Sequence, residues 1–232
     1  MDFTKKIFSG FINKKHRCMP AIFLLALILS GLSFYSCVVP AGDLDIQQGA
    51  RYFQKKKFDE ARHCFEMALE EECTFPKESV YIYISNCYSQ QENYDSAIEW
   101  REKALEISPD ADNLLQLGMI YRVKLDDDKA EEYFKKALEL NTRNAAAYAS
   151  LGSLYMTHNR TDEAIEMLEN SLDINNLSSI VHADLAVCYA RKGMEKEAMD
   201  ELQWAAEHKF EQIAEFKDQV ISLLNEFEND SE

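Results

Sequence analysis

Five alanines, Ala61, Ala97, Ala130, Ala164 and Ala198, stand 36, 33, 34 and 34 residues apart, and this spacing limits what the chain can fold into. The same apolar pattern returns around each of them. The clearest unit reads Tyr148-x2-Leu151-Gly152-x2-Tyr155, then Ala164-x3-Leu168, Leu172 and Ile174. The unit before it reads Leu114-x2-Leu117-Gly118-x2-Tyr121, then Ala130-x3-Phe134, Ala137, Leu138 and Leu140. Large apolar residues three and four apart make one face of a helix. A small residue beside them admits a second helix at close range, and the alanine-centred run is that second helix. Each unit of about 34 residues is therefore a helix hairpin.

Three more units follow in register. One has Gly49, Tyr52, Ala61, Phe65 and Ala68, with Gln48 where leucine is usual. Another has Tyr81, Ile84, Ser85, Tyr88, Ala97, Ala104 and Pro109. The last has Leu185, Ala186, Tyr189, Ala198, Leu202 and Ala205. This pattern resembles the tetratricopeptide repeat: a large residue, Leu-Gly, Tyr, then Ala, an aromatic and often Pro. The resemblance implies an all-α fold, a right-handed α-solenoid of tandem helix-turn-helix repeats. With 7 Gly, 4 Pro and no alternating apolar runs, the composition points the same way. The expected repeats are 43–77, 78–110, 111–144, 145–178 and 179–212. Residues 213–228 follow as a capping helix, with Ile213, Phe216, Val220, Leu223, Leu224 and Phe227 at helical spacing. Such a helix covers the exposed apolar face of the last repeat.

Charge is uneven. Residues 1–36 hold five Lys/Arg and one acid, and residues 37–232 hold 20 Lys/Arg against 40 Asp/Glu. A body that acidic repels phosphate backbones, which disfavours nucleic-acid binding. The basic start, the apolar run at 19–35 and the stop at Ser36-Cys37 form an export signal. Its end, Phe34-Tyr35-Ser36-Cys37, resembles a loose lipobox of bacterial lipoproteins, which implies cleavage after residue 36 and acylation of Cys37. Residues 37–42 then form the lipidated cysteine and its tether. The competing reading is an uncleaved signal anchor, because residues 18–39 are long enough to span a bilayer. No Asp follows Cys37 directly and no dense acidic run lies there. The expected location is the outer membrane with the repeats facing the periplasm; the cell surface and the inner membrane are the alternatives.

No catalytic constellation is visible, and neither a cofactor nor an enzyme activity is expected. No His pair or Cys-x-x-Cys supports a metal site. Asp126-Asp127-Asp128 lacks the spacing of a calcium loop and reads as a helix N-cap with carboxylates favourably placed on the helix dipole. Cys87 and Cys188 read as core thiols, and Cys64 and Cys73 flank a helix end. What remains is the groove. In the family the chain resembles, first helices line a concave face that holds a peptide or helix. Carried over by register, its residues here are Phe53, Ile82, Asn86, Ser89, Leu115, Met119, Arg122, Ser153, Met156 and Val187. Only Asn86 and Arg122 survive of the clamp that some members use for carboxylates. An apolar face rimmed by acid suits a protein or peptide partner with an apolar segment and basic flanks. The implied role is a lipid-anchored scaffold. The repeat lipoproteins it resembles serve outer-membrane protein assembly, secretion or pilus piloting, and recruitment of cell-wall hydrolases.

Overall fold

The computed structural model describes residues 39–231. Cys37 and the signal-like segment before it lie outside the described residues. Among the described residues there are eleven α-helices and no strand. They form five hairpins: α1 (Ala41–Gln54) with α2 (Phe58–Glu70), α3 (Lys77–Gln90) with α4 (Tyr94–Ile107), α5 (Ala111–Val123) with α6 (Asp127–Leu140), α7 (Ala145–Thr157) with α8 (Thr161–Ile174), and α9 (Ser179–Arg191) with α10 (Glu195–Glu207). The last helix is α11 (Ile213–Ser231). Each helix packs first on its hairpin partner, and each second helix then packs on the first helix of the next hairpin. This is the all-α solenoid that the spacing calls for.

The five register alanines are fully buried. In the first, third and fourth hairpins, the side chain four residues beyond the alanine (Phe65, Phe134, Leu168) fills the space left by a glycine on the facing helix (Gly49, Gly118, Gly152). A Cβ on Gly118 would lie 2.5 Å from the Phe134 ring, and one on Gly152 would lie 2.6 Å from Leu168 Cγ. Phe134 and Leu168 are wholly buried by this exchange of sizes. Burial of such a side chain contributes about 1.5–3 kcal/mol. In the second hairpin the small residue is Ser85, whose hydroxyl donates to the Ala97 carbonyl at 2.7 Å.

The helix ends follow from their residues. Asn93, Asp110, Asp126 and Asn144 each accept a bond from a backbone N–H of the following first turn. Asp126 therefore caps α6, with Asp127 and Asp128 in its first turn. The turn inside each hairpin needs one left-handed residue: Lys56, Glu92, Leu125, Asn159 and Gly193, with φ between 57° and 69°. Between hairpins three and four, Arg160 donates to Glu131 at 2.9 Å and to Glu163, and lies 3.9 Å over the Tyr155 ring.

The tether expected at 37–42 is shorter than its spacing suggested. Ala41 and Gly42 already belong to α1. The Gly42 N–H donates to the Glu72 carbonyl at 3.0 Å, and a Cβ there would meet Cys73 Cβ at 2.8 Å. Asp43 is buried and accepts from the Thr74 N–H at 2.7 Å and its hydroxyl at 2.6 Å. Those bonds hold the Asp43 carboxyl below the usual range and fasten the longer loop that follows α2.

At the other end, α11 packs chiefly on α9 and less on α10. Its Val220 is buried with Ala186, Val187 and Ala190 of α9. This is the capping helix, and it covers the exposed face of the fifth hairpin.

Candidate functional site

The first helices of hairpins one to three line a cleft. Its apolar part has a volume of about 440 Å³ and is walled by Ile46, Ala50, Phe53, Phe65, Phe75 and Tyr83. A second part, also about 440 Å³, is walled by Ser89, Tyr94, Arg101, Gln116, Met119 and Val123. Phe53 and Asn86 line both, so the two parts adjoin. Helical spacing creates this lining: residues 46, 50 and 53 share one face of α1, as 86, 89 and 90 do on α3.

Four of the sequence-predicted residues, Phe53, Asn86, Ser89 and Met119, line this cleft. Phe53 is half-buried and meets Phe58 edge to face at 5.3 Å. Asn86 accepts from Arg101 Nη2 at 2.5 Å. Ser89 lines the polar part, and its Oγ is buried with no hydrogen-bond partner among the described residues. Met119 is 46% exposed. Arg122 reaches the next hairpin and donates to Ser153 Oγ at 3.4 Å. Ile82 and Met156 are half-buried, and Met156 packs on the apolar cores at both of its sides.

Leu115 and Val187 do not belong to the groove. They are 6% and 1% exposed and lie in the core. Leu115 packs with the central apolar cluster. Val187 is covered because α11 docks on α9, a contact between segments that local spacing does not encode. Cys37 lies outside the described residues.

Sequence reasoning missed Arg101 and Asp184. Arg101 is 3% exposed and donates to Asn113 Oδ1 at 2.8 Å as well as to Asn86. Burial brings its guanidinium down to about 10, so it stays charged at neutral pH. The signal was available: Arg101 stands four residues after Ala97, where the other repeats carry Phe65, Phe134, Leu168 and Leu202. Asp184 is 7% exposed, and burial pushes its carboxyl up to about 6 against the opposing pull of Arg122.

The thiols of Cys64, Cys73, Cys87 and Cys188 are free. Cys87 and Cys188 are fully buried, and burial pushes both up to about 12. A thiol held that high is a poor nucleophile. Among the described residues no cluster of His, Cys, Asp and Glu could hold a metal ion.

Two family models described as tetratricopeptide repeat match residues 78–143 and 128–176. The chain is 33% identical over 106 residues to heat shock protein STI1 of Saccharomyces cerevisiae; the match takes 45% of this chain and 18% of the yeast protein. Among solved structures it is similar to MamA, with TM-score 0.61, 23% identity and coverage of 69% of this chain and 94% of that one. It is also similar to YrrB, described as a TPR protein with an unusual peptide-binding site, with TM-score 0.57, 23% identity and coverage of 75% and 90%. With the repeat spacing, the buried alanines and the stacked hairpins, these matches make this chain a tetratricopeptide-repeat protein.

Proposed function

We propose that the protein is a lipid-anchored scaffold of the cell envelope that holds protein partners in the cleft of its first three hairpins. The observation that carries this reading is the cleft itself. Phe53, Met119 and Val123 present apolar surface there, beside the amide of Asn86 and the hydroxyl of Ser89. Apolar anchors with a few fixed polar groups are what recognition of an extended peptide requires. YrrB, similar in fold, is described as peptide-binding, which supports the same use of the surface.

The anchor in this proposal is Cys37, and the array faces the periplasm from the outer membrane. The basic start and apolar run before Ser36-Cys37 support it. With α1 beginning at Ala41, only residues 38–40 separate Cys37 from the first helix. Three residues reach at most about 11 Å. The first hairpin then stays next to the bilayer, while the acidic body is repelled by anionic headgroups.

Two measurements test this. A photo-crosslinking residue at Met119 should join a discrete partner in cells, and one at Glu139 on α6 should not; equal yields at both sites would defeat the groove reading. Cys37→Ser should abolish incorporation of a fatty-acid analogue, and unchanged label would remove the lipid anchor.

A further inference from the structure

Arg101 is a fixed cation where the fold otherwise places hydrocarbon. Phe65, Phe134, Leu168 and Leu202 hold the equivalent place, and all are buried. Its partner Asn113 is likewise the polar member of a set whose other members include Val80, Ala147 and Val181. Both hydrogen bonds of the guanidinium go to neutral amide oxygens, those of Asn113 and Asn86. Arg101 makes no ion pair with the described residues. The acid it feels is Asp110, whose carboxylate already accepts the Asn113 N–H at 3.0 Å. A buried charge of this kind is costly until an opposite charge meets it.

Two donors are left over beside it. Arg101 Nε is buried without a hydrogen-bond partner among the described residues, and so is Ser89 Oγ. Arg101 and Ser89 line the same cavity. A carboxylate has two oxygens and takes charge-assisted bonds from such donors. Asn86 spends its Oδ1 on Arg101 and keeps its Nδ2 without a described acceptor. The apolar cavity of Ile46, Phe53, Phe75 and Tyr83 opens from the same wall.

We infer that Arg101, with Ser89 and Asn86, receives one acidic side chain of a partner segment, whose neighbouring apolar side chain occupies the cavity around Phe53. The inference rests on the peptide-binding reading above and names the chemistry that the cleft selects. One guanidinium matches a monoanion; a phosphoryl group, at about −1.5 to −2, would meet a body with 40 acids against 20 Lys/Arg. The same imbalance favours a partner segment with a single acid among apolar and basic neighbours. Met119 and Val123 line the cavity too and are 46% and 58% exposed. The bound segment therefore continues past Arg101, which makes the acid an internal side chain rather than a chain end.

The full chain, in detergent, is tested against a positional-scanning library of lysine-flanked decapeptides blocked at both ends. One position should favour Asp or Glu over Asn or Gln by roughly tenfold to a hundredfold, next to a position that selects large apolar residues. Arg101→Met places an apolar residue where the other repeats have one. It should lose the acid preference and keep the apolar one. Ser89→Ala should lower the acid preference several-fold, and it decides the matter if Arg101→Met fails to melt cooperatively. Equal binding of acids and amides at every position overturns the inference, as does acid preference unchanged in both variants. Acid dependence that appears only with free C-termini overturns the internal assignment. Apolar selection without acid selection defeats this inference alone; no selection at any position defeats the peptide-binding reading as well.

Discussion

Arg101 Nη1 donates to Asn113 Oδ1 at 2.8 Å, so a polar pair links the second hairpin to the third at positions that are apolar in the other repeats. The pair costs desolvation that hydrocarbon would not. Arg101→Leu alone strands Asn113 Oδ1 and should destabilise by about 1–3 kcal/mol. Adding Asn113→Val restores the apolar register, and the double variant should be at least as stable as the wild type. Urea melts of the three proteins measure this. A double variant less stable than Arg101→Leu would show that the pair is needed for packing.

Much of the fold was legible because its determinants are local. Ala130, Phe134 and Gly118 lie within one unit, and the size exchange between them repeats down the chain. The polar floor of the cleft was harder to see. A search for apolar residues in register passes over Arg101, although the break in register is itself the signal. Val187 looked inward by helical spacing, but α11 covers it, and where a distant helix docks is not written in the spacing of α9. Leu115 shows the related limit. A residue on the inward half of a first helix can still be claimed by the neighbouring helices. The start of α1 depended on a contact of the same non-local kind, between Gly42 and the loop at Glu72 and Cys73.

Asp184 sets an expected pH dependence. Burial raises its folded-state carboxyl to about 6, above the ordinary aspartate value. The folded protein then binds a proton more readily than the unfolded chain between about pH 4 and 6. Its contribution to stability is therefore best below the unfolded pKa and is lost as pH rises through the folded one. Asp184→Asn should gain about 2–3 kcal/mol at pH 7 and almost nothing at pH 4. Thermal melts across this range check the sign, and a gain that is the same at both pH values would contradict it.

The hairpin turns make a paired prediction. Leu125 is 87% exposed at φ 60°, a conformation that costs a side-chain-bearing residue about 1–2 kcal/mol. Leu125→Gly should stabilise the protein by about 0.5–1 kcal/mol, once the entropy glycine loses on folding is subtracted. Gly193 has φ 69°, and a Cβ there would lie 2.2 Å from Phe227 Cε1. Gly193→Val should destabilise by about 2 kcal/mol or more, from strain and displacement of α11. Denaturant midpoints of the two variants should move in opposite directions; movement in the same direction would mean that backbone strain does not govern these turns.

Peptide binding in the cleft of the first three hairpins is tested most directly by amide hydrogen exchange of the full chain, with and without a saturating peptide selected by it. Exchange should slow along residues 46–54 of α1, 83–90 of α3 and 116–123 of α5, the segments that line the cleft. It should be unchanged along α8 and α10. Binding that protects only second helices or α11, and leaves those three segments exchanging at their free rates, would contradict the groove.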